Sequence, residues 1–231
     1  MFLGHFAVGL AGKAAAPKPS LGTLFLAAQF LDLLWPTLLM LNMEHAQIAP
    51  EPGVLVPLKF THYPISHSLL LVLGWGLLFG LVYWLIRKDT RSAIVLGLLV
   101  ISHWLIDLIV HMPDLPLYPG DSPMLGLGLW TSTIATIALE MLLLIVGLWL
   151  YLRTTKAKNK TGNYSFWALV VFLVVIYFMN LFGPVPPNME AVAWGGQMQW
   201  LLVIWAYWAD RNRQTINYSS ETHRQTIAPA Q

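Results

Sequence analysis

Cysteine is absent from this chain of 231 residues, and charged side chains are scarce. The absence of cysteine excludes disulfides and thiolate metal ligands, so a metal site here must be built from histidine and carboxylate side chains. Asp, Glu, Lys and Arg account for only 10% of the residues, compared with about 25% in soluble domains, and 57% are hydrophobic. This balance is typical of a polytopic membrane protein.

Basic residues are almost missing from alternate loops. All of the 13 lysines and arginines except Lys59 fall in every second polar segment between the apolar runs. Lysine and arginine accumulate in the cytoplasmic loops of membrane proteins. The pattern therefore predicts that one set of segments, together with the carboxyl terminus, faces the cytoplasm. These segments are residues 13–18, 87–91 and 153–160.

Six apolar runs are long enough to cross a membrane as helices. They span about residues 21–41, 67–86, 92–111, 129–152, 164–182 and 189–208. The amino-terminal segment lacks the basic start of a signal peptide, and we expect a short retained helix that ends before Pro17. The predicted fold is an all-α polytopic membrane helical bundle, with about six transmembrane helices plus this short helix. Residues 1–210 form a single integral-membrane domain, and 211–231 form a polar cytoplasmic tail that we expect to be partly disordered.

His103, Asp107 and His111 recur at every fourth position of the third apolar run. Four residues advance an α-helix by slightly more than one turn, so the three side chains form one stripe. A central aspartate costs about 2.5–3.5 kcal/mol to insert into hydrocarbon. Imidazole and carboxylate are ligands of Zn²⁺ and similar ions. Either a divalent metal ion, with zinc as the first choice, or a polar contact between helices would offset the cost.

Further ionisable residues fall where a bundle can bring them to the same depth. Asp32 lies near the middle of the first run, four residues before Pro36, which predicts a bend beside the carboxylate. His62 and His67 flank a proline ahead of the second run, and His5 lies in the short amino-terminal helix. In the predicted orientation all of them can face one cavity in the outer half of the membrane. Straight helices would leave His67 roughly 10 Å shallower than the stripe, so a bend or a dipping loop has to close that gap.

Five short pieces of the sequence occur in an order that resembles a known family. They are Gly4-His5, Asp32 before Pro36, Thr61-His62, His67-Ser68-Leu69-Leu70 and Ser102-His103-x-x-x-Asp107. Over roughly the first half of the chain this set resembles the YdjM-like family of inner-membrane metal-dependent hydrolases, which has a distant likeness to helical zinc-dependent phospholipases C. The resemblance implies a multi-pass protein of the bacterial inner membrane. The family's Asp-x-Asp-His pattern is incomplete here, because the stretch reads Asp32-Leu33-Leu34-Trp35, and His111 can supply a substitute ligand.

The residues and the resemblance together define a candidate metal site. Its expected ligands are His5, His67, His103 and Asp107, with Asp32 and His62 completing a second site or orienting these ligands. Asp32 and Asp107 are the candidate catalytic residues, and a carboxylate that does not bind the metal, Asp32 or Glu140, can act as a general base. The expected substrate is an ester or phosphoester of a lipid or envelope precursor. Membrane lipids, and not nucleic acid, are the expected partners.

Three functions remain compatible with these residues: a metallohydrolase, a metal or proton transporter, and a non-catalytic membrane protein with a structural metal. Ionisable residues inside membrane spans also mark ion pathways, but here they gather towards one side, which argues against the transporter. His45 and His223 are expected to lie outside the site. Glu44, in an outer loop, is expected to tolerate substitution.

Overall fold

A computed structural model describes residues 1–216 of the chain. The helices of this part are α1 (Leu3–Ala15), α2 (Leu21–Ala28), α3 (Phe30–Met40), α4 (Pro64–His67), α5 (Leu69–Arg87), α6 (Thr90–Val110), α7 (Thr133–Thr154), α8 (Lys160–Phe182), α9 (Met189–Gln197) and α10 (Gln199–Arg211). Antiparallel pairs of short strands connect them: β1 (His45–Ile48) with β2 (Leu58–His62), β3 (Leu115–Pro116) with β4 (Met124–Leu125), and β5 (Thr155–Ala157) with β6 (Arg213–Thr215). Residues 217–231, and with them His223 and the end of the predicted tail, lie outside the described residues.

Four helices, α5 to α8, are each long and apolar enough to cross a membrane. Together, α2 and α3 make a fifth candidate span, which is bent by 57°. These helices confirm the predicted all-α bundle. The predicted sixth span at 189–208 is instead α9 followed by α10, and neither is long enough to cross alone. The two helices nevertheless run along the bundle one after the other, since α9 packs on α3 and α10 packs on α2.

The bend in the first span lies at Gln29. The sequence predicts it beside Pro36, and that prediction is wrong, because Pro36 lies inside α3, where it removes one backbone N–H without ending the helix. Gln29 instead leaves the helical conformation, with φ −98° and ψ 6°. The break places Asp32 in the first turn of α3, where the positive end of the helix dipole favours a carboxylate.

The short helix α1 is enclosed by the rest of the bundle, where it packs against α2, α6 and α7. It ends ahead of Pro17, as predicted, because Ala16 is extended with φ −134° and ψ 92°, the conformation that a following proline favours. Its close approach to α7 depends on Gly147, where an added Cβ would collide with the carbonyl oxygen of Ala7. In this position α1 carries His5 into the centre of the bundle.

The basic segments meet at one end of the bundle. Lys18 Nζ lies 3.4 Å from Asp89 Oδ2, and Lys13 Nζ lies 3.1 Å from Asp210 Oδ2. The strand β6 pairs with β5 at this end, so the start of the predicted tail belongs to the folded structure. The grouping agrees with the charge pattern of the sequence, whereas the side of the membrane that this end faces stays a prediction.

Candidate metal centre

Five ionisable side chains meet towards the other end of the bundle. They are His5 of α1, Asp32 of α3, His67 of α4, and His103 and Asp107 of α6. The Nε2 atoms of His5 and His103 lie 3.1 Å and 3.2 Å from the two carboxylate oxygens of Asp107. His67 Nε2 is 3.8 Å from Asp32 Oδ1 and 3.9 Å from Asp107 Oδ2. The structure thus brings together the four expected ligands and Asp32, while their binding of a metal stays a prediction.

His67 reaches the depth of the α6 stripe because it ends a separate single-turn helix. The helix α4 begins at Pro64 and does not continue into α5, since Ser68 is extended with φ −76° and ψ 135°. The ring centroids of His67 and His103 are therefore only 5.6 Å apart. The sequence analysis requires a bend or a dipping loop to bring His67 to this depth, and the single turn of α4 does so.

Hydrogen bonds at Nδ1 orient the side chains of His103 and His111. His103 Nδ1 lies 2.8 Å from the carbonyl oxygen of Ala28, which can only accept, so Nδ1 carries a proton, and in the neutral imidazole the lone pair is on Nε2. Ala28 is the last residue of α2, and carbonyls at a helix end lack intrahelical partners. His111 Nδ1 similarly donates to Asp114 Oδ1 at 2.9 Å, and its Nε2 lies 4.0 Å from Asp107 Oδ2. Metal-binding histidines are commonly held in this way.

Glu44 and Ser66 orient His67 through a chain of short hydrogen bonds. Ser66 Oγ donates to Glu44 Oε2 at 2.6 Å and lies 2.7 Å from His67 Nδ1, so its oxygen accepts the Nδ1 proton. Glu44 Oε1 also accepts the backbone N–H groups of Ile65 and Ser66. Burial raises the pKa of Glu44 above its ordinary value, and these hydrogen bonds oppose that shift. The expectation that Glu44 tolerates substitution is therefore wrong.

We expect Glu44→Ala to destabilise the protein in detergent. Buried donors left without an acceptor cost about 1–3 kcal/mol, and each kcal/mol corresponds to about 2–4 °C for a chain of this size, so Tm should fall by roughly 3–10 °C. Affinity for zinc should also fall about 10–100-fold, because His67 loses its orienting partner. Glu51→Ala, in the exposed part of the same loop, is the control for both measurements. An unchanged Tm in Glu44→Ala would contradict this account of the loop.

His62 does not join the cluster, which corrects the sequence prediction. It is exposed at the end of β2, where it is paired with His45 of β1, and the two ring centroids are 6.0 Å apart. Tyr63, the residue that follows β2, is buried. His45, which is exposed beside it, lies outside the cluster as expected.

Glu140 of α7 holds the amino-terminal end of α1. Its Oε2 accepts the backbone N–H groups of Phe2 at 3.0 Å and Gly4 at 3.1 Å. A carboxylate at a helix amino terminus satisfies free N–H groups and complements the helix dipole. Glu140, a possible general base by sequence, therefore helps to position α1, the helix that carries His5.

The buried nitrogen and oxygen atoms of the cluster face one another, and a cation between them would satisfy these atoms. The Nε2 atoms of His5 and His103 are buried and make no hydrogen bond within residues 1–216, although each lies beside an Asp107 oxygen. The amino group of Met1 pairs with the same carboxylate and supplies one positive charge. The remaining donors fit a divalent ion in type and spacing. Two groups have ligand atoms within 4.8 Å of one another: His5, His103 and Asp107, and Asp32, His67 and His103.

Comparisons with family models, with curated proteins and with solved structures find no match to this chain. The functional argument therefore depends on the geometry of the cluster and on the chemistry of its side chains.

Asp32 is the most exposed member of the cluster. Its side chain is 26% exposed, whereas the side chains of the other four members are at most 5% exposed. Asp32 is therefore the member of the cluster that is most accessible from outside. The arrangement consists of an enclosed set of nitrogen and oxygen donors with one partly open side.

Proposed function

We propose that this protein is an integral-membrane, metal-dependent hydrolase. The observation that carries the proposal is the convergence of imidazole Nε2 atoms and carboxylate oxygens in one buried cluster, with Asp32 as its most exposed member. The resemblance to the YdjM-like family of inner-membrane hydrolases supports it independently. The bacterial inner membrane, a cytoplasmic carboxyl terminus and zinc as the metal are parts of the same proposal.

The residues of the cluster divide into ligands and a base. His5, His67, His103 and Asp107 would hold the ion, because they are the enclosed members of the cluster. A bound divalent ion supplies a Lewis acid and lowers the pKa of a coordinated water to about 7. Asp32 is partly exposed and can accept the proton of an attacking water, the role of a general base. Ala28 and Ser66 hold the imidazoles in the required tautomer.

The position of the cluster favours a substrate from the membrane. It lies near the end of the candidate spans that is remote from the basic segments, which the charge rule places on the outer side. An ester or phosphoester of a lipid or envelope precursor can reach such a site without leaving the bilayer.

Ion transport is less well supported by the contacts at the basic end. A pathway requires ionisable groups that can pass an ion towards the second face. There Lys13 and Asp210 pair with each other, and Tyr151 donates to the same aspartate at 2.8 Å. These three groups satisfy one another and so form a structural contact.

Asp32→Asn tests the assignment of the base. We expect the zinc-loaded wild type to hydrolyse lipid esters or phosphoesters in detergent or nanodiscs, and kcat to fall about 10²–10⁴-fold in the variant. The metal content of the variant should be retained, because the enclosed ligands are intact. Asp121→Asn, in an exposed loop, is the matched control. A metal-loaded wild type that hydrolyses neither class of ester would overturn the proposed activity.

A further inference from the structure

The imidazoles of His5 and His103 are stacked, which limits how they can bind metal. Their ring centroids are 3.5 Å apart and their planes differ by only 6°. The lone pair of Nε2 lies in the plane of its ring, and parallel planes do not meet. An ion placed midway at zinc–nitrogen distances of about 2.0–2.1 Å would lie roughly 55–60° out of both ring planes. The two histidines therefore suit separate ions better than one shared ion.

Each stacked ring also faces its own oxygen of Asp107. His5 Nε2 is 3.1 Å from Oδ1, and His103 Nε2 is 3.2 Å from Oδ2. Asp32 repeats the pattern, because its Oδ2 lies 4.0 Å from His5 Nε2 and its Oδ1 lies 3.6 Å from His103 Nε2. Zinc–ligand bonds at the tetrahedral angle place the donor atoms of one zinc ion about 3.3 Å apart. Asp107 is thus placed to bridge two ions, whereas the longer distances of Asp32 leave it beside them as the base.

From this geometry we propose that the cluster is a two-ion centre. One ion would take His5 and Asp107 Oδ1, and the other would take His103, His67 and Asp107 Oδ2. Asp32 would remain beside both ions as the base. The Met1 amino group pairs with Asp107 Oδ1, so the first ion has to displace it from that oxygen. The spacing of the stacked rings is close to the 3.5–4 Å that separates the ions of two-metal hydrolases.

A two-ion centre narrows the substrate class to phosphoesters, an inference that rests on the proposed hydrolase function. Two divalent ions carry more positive charge than Asp107 and Asp32 neutralise, so the centre would attract an anionic group. Paired ions of this spacing stabilise the attacking and leaving oxygens of an in-line displacement at phosphorus. In such a displacement water forms the new P–O bond, the alkoxide leaves, and the proton of the water passes to Asp32.

The stoichiometry and the magnetic coupling of bound ions test the two-ion centre without measuring activity. Metal-free protein in detergent is loaded with Mn²⁺ or Zn²⁺, desalted and analysed for metal per chain, and the Mn²⁺ form is examined by electron paramagnetic resonance. We expect two ions per chain in the wild type and the spectrum of an exchange-coupled pair. His5→Ala should keep one ion with the spectrum of isolated Mn²⁺, and Glu51→Gln should keep two. The wild-type spectrum decides the question even where His5→Ala does not fold.

The outcomes separate this inference from the proposed function. Saturation of the wild type at one uncoupled ion per chain overturns the two-ion centre and leaves a single-metal hydrolase standing. Two coupled ions without hydrolysis of any ester support the centre and overturn the hydrolase. A protein that binds no ion overturns both. Faster hydrolysis of carboxylic esters than of phosphoesters by the two-ion form overturns the substrate class.

Discussion

Asp107→Asn is expected to remove stoichiometric metal binding and to slow metal-dependent hydrolysis by about 10³-fold or more. Its two oxygens lie beside the Nε2 atoms of His5 and His103, so this one carboxylate touches both histidines of the stack. The bound ion contributes several kcal/mol of transition-state stabilisation, and each 1.36 kcal/mol is about tenfold in rate. The amide keeps the volume of the side chain and loses its charge. Metal content and initial rates at a fixed zinc concentration measure the effect.

The control for this variant is Asp121→Asn, which removes a carboxylate from an exposed loop. It should bind metal and turn over like the wild type. An Asp107→Asn protein with wild-type metal content and a rate within about twofold of the wild type would remove Asp107 from the site.

Removing the metal is expected to lower the stability of the folded protein substantially. Without an ion, buried groups of the cluster remain unsatisfied, and each costs about 1–3 kcal/mol. Ligand at 100 times its Kd stabilises by about 2.7 kcal/mol, and a chain of this size gains about 2–4 °C per kcal/mol. We therefore expect a strong chelator to lower Tm in detergent by roughly 5–10 °C, and added zinc to restore it.

Asp107→Ala distinguishes this stabilisation from a general effect of zinc on the detergent complex. The variant should start at a lower Tm, since it loses the carboxylate that neighbours His5 and His103, and it should not respond to zinc. Glu51→Ala should respond like the wild type. Identical melting of the wild type with and without chelator would mean that the polar stripe of α6 is a packing contact between helices.

Periodicity and charge predicted much of the fold. The spacing of His103, Asp107 and His111 predicted one face of one helix, and the structure places both histidines beside the carboxylate of Asp107. Pro17 predicted the end of α1, because the conformation of the preceding residue is a local steric property. These features are encoded by neighbours in the chain, which is why the sequence alone was enough.

The features that the sequence did not predict depend on contacts between distant segments. Glu44 lies in a proline-containing loop, and no periodicity links it to Ser66, which it contacts across 22 positions. The bend at Gln29 lies in an apolar run without glycine or proline at that point, so the proline at 36 was the stronger local signal. His62 was predicted as a ligand from its closeness to His67, but strand pairing with β1 turned it outward. In each case tertiary packing outweighed the local pattern.

The metal content of the purified protein tests the central claim most directly. Wild-type protein, loaded with zinc and desalted in detergent, is analysed for bound elements beside His103→Ala, which loses the imidazole common to both ligand groups. The account predicts a stoichiometric divalent metal in the wild type and its loss from the variant. A folded wild type with only trace metal, or a His103→Ala protein with the same content, would contradict the account.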